Sequence, residues 1–295
     1  MGSIAFIGDR STTTTLAVAI GWAPRAGAKQ DRAAHAGQDR TETAQQPSSS
    51  PLVVEVDPTG GSLAAWLDMP ANPSLSTIVA QGGTITPRSL EPMVRSSPDG
   101  LAIIPAPFRS REASRAVAES CRTLLPALAD DERTALLDVG RLTPADGVPP
   151  TIQGASSLVL CHRQEAASAR AAAVRLERLA ESVELLAHLD RPLTIALIGD
   201  EPYGGDEVIE YLLSDGSRIA TPNAVPTLVT LPDDALCAAV LAGRVGVSAR
   251  RLARLPLMRA ARALGAQLRT AQAESPHTSP DSSPPATPRS FGGVA

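Results

Sequence analysis

Seven short apolar runs recur along the chain, separated by longer segments, and each run has the length of a β-strand. They are rich in Val, Ile and Leu and continuous rather than alternating, which is typical of strands buried on both faces of a parallel sheet. The runs are IAFIG (4–8), LVVEVD (52–57), LAIIPA (101–106), TALLDVG (134–140), SLVLC (157–161), LTIALIGD (193–200) and PTLVTL (226–231). We predict an α/β fold with a doubly wound, mostly parallel sheet and helices on both faces.

The clearest helical pattern between these runs extends from Gln164 to Leu189. Its apolar residues recur at intervals of three and four, which places them along one face of a helix. They are Ala172, Leu176, Leu179, Val183 and Leu186. We expect this face to lie against the sheet.

The composition agrees with this fold class. Of 295 residues, 43% are hydrophobic but only 2% are aromatic, so Ala, Val, Leu and Ile must fill the core. The three cysteines are odd in number and lack metal-ligand spacing, which favours a reducing, cytoplasmic location. No apolar run approaches the ~20 residues that a membrane-spanning helix needs.

Two segments lack the large apolar residues that burial requires. Residues 25–51 are dense in Ala, Gln, Ser and charge, and we predict a flexible insertion there. Residues 273–295 are rich in Ser and Pro, and we predict a disordered tail. Residues 1–272, with the insertion, are then expected to form a single domain.

The stretch GDRSTTTTLA (8–17) follows the first predicted strand, at the edge of the sheet where open α/β folds bind ligands. A phosphate-binding loop needs glycines for close backbone approach, a lysine for charge and a Ser/Thr hydroxyl for Mg²⁺. This stretch keeps the hydroxyls, but Asp9 would repel phosphate and threonine disfavours the backbone that glycine adopts. Taken alone, it favours a threonine-capped helix start over a nucleotide site.

Other segments of the chain resemble the MinD/ParA family of P-loop ATPases, of the SIMIBI class. The stretch LVVEVDPTGGSLAAWLDMPANPSLSTIVA (52–80) resembles the family's second strand and switch region, and ALLDVGRL (135–142) resembles the strand that brings a second acid to Mg²⁺. The stretches SSLVLCHRQEAASARAAAVRLERL (156–179) and PTLVTLPDDALCAAVLAG (226–243) resemble its later strand-helix pairs. The resemblance extends in order over residues 3–270 and implies a P-loop NTPase fold with ATP and Mg²⁺ as cofactors.

This resemblance implies roles for individual residues. Thr14 falls where the family places its Mg²⁺-binding hydroxyl, and Asp138 where an acid reaches Mg²⁺ through water. Asp57 falls where a carboxylate orients the attacking water, a catalytic role only if the protein is active; it is equally a turn-forming aspartate before Pro58. The residues that would contact the nucleotide are Asp9, Arg10, Ser11, Thr12, Thr13, Thr14 and Thr15.

The parts of the family's KGGxGK loop that hold phosphate are missing. Gly8 and Thr13 stand at the positions of its two lysines, and the only lysine of the chain, Lys29, lies in the predicted insertion. The positions of the glycines are held by Asp9, Arg10 and Thr12. Because losing one charge-stabilising contact commonly slows phosphoryl transfer by ~10²–10³, we expect a degenerate ATPase that does not bind ATP and Mg²⁺ tightly.

A basic segment near the C-terminus suggests a binding surface. Between Arg244 and Arg269 there are seven arginines and no acid, although the whole chain has a formal charge of −4. Pro256 is expected to interrupt or kink this helical run. A solvated face on a surface helix explains the arginines, and docking on DNA or an acidic protein is the alternative, with Arg250, Arg251 and Arg254 as the candidate residues.

Three functions remain open at this point. The resemblance favours a catalytically impaired, cytoplasmic positioning or scaffold factor in chromosome partition, in septum placement for cell division, or in localising a secretion or pilus machine. The alternatives are an active Mg²⁺-dependent ATPase with an atypical loop and a non-enzymatic DNA-binding accessory protein. We expect a protein partner, and leave a homodimer and nonspecific DNA binding as open alternatives.

Overall fold

A computed structural model of the protein describes residues 2–22, 50–97, 100–142, 147–164, 167–214 and 226–274. Residues 25–49 of the predicted insertion, and the predicted tail from residue 275, lie outside these ranges. The predicted domain boundary at residue 272 falls within the last described helix, which continues to Glu274. No helix in the described ranges is both long enough and apolar enough to cross a membrane.

Eight strands form one sheet. Seven of them coincide with the predicted apolar runs, and the eighth is a two-residue strand, Arg95–Ser96, that the pattern did not reveal. The strands are β1 (Ser3–Gly8), β2 (Leu52–Glu55), β3 (Arg95–Ser96), β4 (Ala102–Ile104), β5 (Ala135–Gly140), β6 (Ser157–Arg163), β7 (Leu193–Ile198) and β8 (Thr227–Leu231).

Eleven α-helices are found in the described ranges, together with one 3-10 turn at Glu91–Met93. The first six helices are α1 (Ser11–Trp22), α2 (Leu63–Trp66), α3 (Leu75–Gln81), α4 (Pro87–Leu90), α5 (Ser110–Ala129) and α6 (Pro150–Gln153). The others are α7 (Ala169–Ala187), α8 (Gly205–Leu213), α9 (Ala235–Leu241), α10 (Ala249–Leu252) and α11 (Pro256–Glu274).

The strand order β3-β4-β2-β5-β1-β6-β7-β8 confirms the predicted doubly wound topology. All pairings are parallel except that of β3 with β4, at one edge. Strand β1 lies between β5 and β6, with Phe6 opposite Asp138 and Gly8 opposite Cys161. Because the chain winds outward from β1 in both directions, the carboxyl ends of these strands form the crevice where such sheets bind ligands.

The core has two layers, one on each face of the sheet. On one face Ala5 and Ile7 pack with apolar residues of α5 and α7, and the predicted stripe of α7 is buried there in full. On the other face Ile4 and Phe6 pack with α1, α9 and α11. Continuous burial on both faces explains why the central strands have unbroken apolar runs, whereas the edge strand β8 is only partly buried.

Helix α11 closes the second face through close contact with α1. A Cβ atom at Gly21 would lie only 3.1 Å from the Arg262 Cα, so glycine lets the two backbones approach. The Arg269 guanidinium stacks 4.8 Å from the centre of the Trp22 ring. Pro256 begins α11 instead of kinking a continuous helix, because proline fits the first turn, where its missing N–H has no partner to lose.

Candidate functional site

The first loop, between β1 and α1, contains only Asp9 and Arg10. The Asp9 N–H donates to the carbonyl of Cys161 at 2.9 Å, and a Cβ atom at Gly8 would lie 2.3 Å from the same oxygen. Gly8, with φ +104°, therefore lets the chain cross β6 closely at this turn. Helix α1 starts directly afterwards at Ser11, so the run of threonines forms its first turns and not an open loop.

Most of the threonines are buried in α1. Thr13, Thr14 and Thr15 have at most 6% of their surface exposed. The Thr14 side chain hydrogen-bonds the thiol of Cys161, whose pKa is raised to about 12, chiefly by burial. Thr14, the predicted Mg²⁺ ligand, thus contacts β6, while the hydroxyl that the structure places 2.7 Å from Asp138 belongs to Ser11.

Asp138, at the carboxyl end of β5, is fully buried. Its Oδ1 accepts a 2.7 Å hydrogen bond from the Ser11 hydroxyl, while its Oδ2 has no hydrogen-bond partner among the described residues. Burial raises the pKa of Asp138 to about 6, the Thr12 and Ser11 hydroxyls oppose this shift, and the nearby charge of Asp57 adds to it. A buried carboxylate oxygen without a donor is an atom that a cation or a water molecule would satisfy.

Asp57 lies beside Asp138, on the loop that follows β2. Its Oδ1 accepts 2.7 Å hydrogen bonds from the N–H and the hydroxyl of Thr59, which is the turn that the sequence allowed. A Cβ atom at Gly140 would lie only 2.2 Å from Asp57 Oδ2, so the loop packs directly against the end of β5. The structure therefore brings the two predicted carboxylates to one place.

Glu55, at the end of β2, was missed by the sequence analysis. Its Oε1 accepts from the N–H groups of Ser62 and Leu63 at 2.5 and 3.0 Å, and its Oε2 accepts from Ala106 N–H at 3.0 Å. Burial raises the pKa of Glu55 to about 7 despite these donors. The one signal available was an acid inside the apolar run LVVEVD. The hydrogen bonds of the Glu55 carboxylate join the loop that carries Asp57 to the chain after β4.

The side chains of the first loop are held by ion pairs. The Asp9 carboxylate lies 2.7 Å from Arg175 of α7 and 4.0 Å from Arg141. The Arg10 guanidinium lies 3.5 Å from Asp233, which also pairs with Arg163 at 2.8 Å. Arg10 therefore pairs with Asp233, which follows β8, and Asp9 contributes a carboxylate to the loop.

The site can therefore offer ligands for a cation, but few. Asp57, Asp138 and the Ser11 hydroxyl are oxygen ligands of the kind that Mg²⁺ accepts. No cluster of three or more His, Cys, Asp or Glu side chains suited to a metal occurs within the described ranges. A Mg²⁺ ion here would need its remaining ligands from water or from a bound phosphate.

The candidate DNA contacts lie apart from this site. Arg250 and Arg251 are on α10 and Arg254 is in the turn that precedes α11, and all three are exposed. None of them forms an ion pair with a described residue. Leu252 between them is buried against the face of the sheet that α1 covers.

Comparison with solved structures identifies the fold. MinD from Pyrococcus horikoshii, solved with Mg-ADP, superposes with a TM-score of 0.58 at 15% identity, covering 92% of this chain and 97% of that one. A ParA family ATPase from Chlorobium tepidum gives a TM-score of 0.57 at 15% identity, covering 90% and 98%. The chain has the fold of the MinD and ParA ATPases.

A third structure with the MinD/ParA fold, the MinC:MinD complex from Aquifex aeolicus, gives a TM-score of 0.52 at 12% identity, covering 92% of this chain and 96% of that one. No protein-family model matches the sequence, and a comparison with curated proteins finds no match. The predicted P-loop NTPase-like fold is confirmed, although the sequence identity to these three proteins is only 12–15%. What the site does must therefore be argued from its own residues.

Proposed function

We propose that this chain is a positioning or scaffold factor with the MinD/ParA fold that has lost productive ATP hydrolysis. The observation that carries the proposal is the first loop, in which Asp9 and Arg10 are both engaged in ion pairs and no lysine is present. The single lysine of the chain, Lys29, lies outside the described residues and well beyond α1 in the sequence.

The charge at the loop opposes triphosphate binding. An approaching phosphate would meet the Asp9 carboxylate, and it would compete with Asp233 for Arg10. The two loop residues, Asp9 and Arg10, are not glycines, so the loop offers mainly the first N–H groups of α1, where a phosphate cradle needs several converging donors. We infer that the residues present do not fit ATP, and the loss of such contacts leaves hydrolysis negligible.

The two carboxylates that would bind a cation are retained, which supports descent from an active ATPase. Asp57 and Asp138 keep their places beside each other, and Asp138 keeps an oxygen without a donor. In the proposed role these residues stabilise the turn after β2 and the start of α1. The Ser11 hydroxyl donates to Asp138 Oδ1 and so holds the start of α1 against β5.

We propose that the protein acts in the cytoplasm through a protein partner, in chromosome partition, septum placement or the localisation of a secretion or pilus machine. The Aquifex MinD structure contains the partner MinC, which supports this type of action for the fold. A homodimer is part of the same proposal.

Steady-state hydrolysis of ATP with Mg²⁺ tests the loss of activity. We expect phosphate release by the wild type to equal that of Asp57→Ala and of a blank without protein. A rate for the wild type at least ten times that of Asp57→Ala would instead establish an active ATPase with an atypical loop.

DNA binding is a second candidate because Arg250, Arg251 and Arg254 are exposed and have no acidic partner among the described residues. Nonspecific duplex binding would be steeply salt-dependent and would be lost in the triple alanine variant. The matched control removes the same charge on α4 and α5 by changing the exposed Arg88, Arg111 and Arg122 to Ala. Equal loss in both triple variants, or no binding by the wild type, would exclude a specific role for the α10 arginines.

A further inference from the structure

A small cleft opens beside the first loop on the face of the sheet that α7 covers. Its volume is about 280 Å³. The loop after β1, the residues after β5, the end of β6 and one face of α7 contribute to its walls. Neither Asp57 nor Asp138 lines it, so the cleft is distinct from the pair of carboxylates described above.

The cleft is positively charged. Arg141, Arg175 and Arg178 line it, and Asp9 is the one acid among the lining residues that the structure describes. His162 also faces the cleft, but burial and the proximity of Arg175 outweigh the attraction of Asp9 and lower its pKa to about 4. The imidazole is therefore neutral near pH 7, and the described lining residues carry an excess of two positive charges.

The Asp9 carboxylate contacts two of these three arginines. Its Oδ2 accepts a 2.7 Å hydrogen bond from Arg175 Nη1, and its Oδ1 lies 4.0 Å from Arg141 Nε. Arg178 lies one turn along α7 from Arg175, is exposed, and forms no ion pair with a described residue. Among the described residues the cluster thus contacts one carboxylate, and the Arg178 guanidinium is exposed without an ion pair to any of them.

We propose that this cleft binds the phosphate group of a small metabolite in competition with Asp9. A phosphate dianion matches the excess charge, and its several oxygens suit the fixed donor geometry of more than one guanidinium better than a single carboxylate does. The volume is at the small end for ligand pockets, which suits a phosphate monoester of sugar size better than a whole nucleoside triphosphate.

Phosphate binding in this cleft would change the first loop. When the phosphate takes Arg175 and Arg141, Asp9 loses the ion pairs that join the loop to α7 and to the residue after Gly140. The loop would then keep the Asp9 N–H hydrogen bond, the Arg10 ion pair and the Ser11 hydrogen bond to Asp138, but it would lose its link to α7. The cleft is in this way a regulatory ligand site for a protein that no longer uses ATP.

Isothermal titration with inorganic phosphate, at constant ionic strength set with chloride, tests this inference. We expect one phosphate per chain, Asp9→Asn to bind ~10-fold more tightly because the competing carboxylate is gone, and Arg175→Gln to bind ~10-fold more weakly. Arg178→Gln should also weaken binding, and it should leave folding undisturbed because the side chain is exposed. Arg170→Gln, exposed in the first turn of α7, is the matched control and should leave the affinity unchanged.

Binding by Asp9→Asn alone would still support competition with Asp9. Absence of binding by both the wild type and Asp9→Asn would overturn the proposal, and so would an affinity that Arg175→Gln and Arg178→Gln leave unchanged. Titration with ATP and Mg²⁺ on the same variants separates this inference from the proposed function. Tight ATP binding that persists in Arg178→Gln would contradict the loss of nucleotide binding without affecting the phosphate site.

Discussion

The Asp9 carboxylate accepts a 2.7 Å hydrogen bond from the guanidinium of Arg175, 166 positions away in the sequence. Both side chains have 28% of their surface exposed. The pair joins the first loop to α7 and places a carboxylate in the loop, where phosphate binding needs the positive charge of a lysine. In the proposed function this pair and the missing lysine together disfavour nucleotide binding.

The contact between Gly140 and Asp57 leads to a prediction about stability. Gly140→Ala should lower the free energy of unfolding both by backbone strain at φ +73° and by collision with the Asp57 carboxylate. Gly83→Ala is the matched control, since Gly83 has φ +77° and no atom within 4 Å of its Cβ position. Urea unfolding should show Gly140→Ala to be about 1–3 kcal/mol more destabilising than Gly83→Ala.

A second variant tests the origin of that difference. Asp57→Ala should recover part of the stability that Gly140→Ala loses, because it removes the colliding carboxylate. Equal costs for the two glycine substitutions, with no recovery on changing Asp57, would show that the two residues are not in contact.

The hydrogen bond from Ser11 to Asp138 gives a prediction that depends on pH. Ser11→Ala leaves a fully buried carboxylate with one donor fewer, and we expect a loss of about 1–3 kcal/mol in the free energy of unfolding at pH 8. Since the pKa of Asp138 is about 6, the carboxyl is largely protonated at pH 5 and the loss should be smaller there. Ser114→Ala, at an exposed position on α5, is the control, and a loss that did not change between these pH values would contradict the assignment.

Glu55 should make the stability of the protein fall as the pH rises. Its pKa is about 7 in the folded state against an ordinary value of 4.5, so the protonated form favours folding and its contribution is lost as the pH rises through 7. Relative to the wild type, Glu55→Gln should gain about 2–3 kcal/mol of unfolding free energy between pH 5 and pH 8. Thermal or urea unfolding at both pH values measures this change.

The control for Glu55 is Glu177→Gln, which neutralises an exposed acid on α7. Its free energy of unfolding should change between the two pH values by the same amount as that of the wild type. If Glu55→Gln also tracked the wild type, the hydrogen bonds from Ser62, Leu63 and Ala106 would have to compensate fully for burial.

Much of the fold could be predicted from the sequence because burial on both faces of the sheet leaves unbroken apolar runs. The stripe of α7 was equally clear, because every member of the 172–186 pattern faces the core. Strand β3 could not be predicted, since two residues carry no periodicity and pair only because β4 lies beside them. Helix α7 starts at Ala169, later than predicted, because Ser168 caps it.

The candidate site was less predictable because its contacts depend on where helices begin and on which residues from distant segments face each other. Asp57 follows β2 and Asp138 lies near the end of the neighbouring strand β5, so their proximity could be expected. The contact of Ser11, and not Thr14, with Asp138 depends on the start of α1, one residue after Arg10, which the threonine run alone does not fix. The pairs of Asp9 with Arg175 and of Arg10 with Asp233 join distant segments and leave no local signal.

Isothermal titration of the wild-type protein with ATP and Mg²⁺ tests the central claim most directly. We predict no heat of binding beyond that of Mg²⁺ alone, and no change on substituting Asp57 or Asp138. A dissociation constant in the low micromolar range, weakened when Arg10 is changed to Ala, would contradict the account.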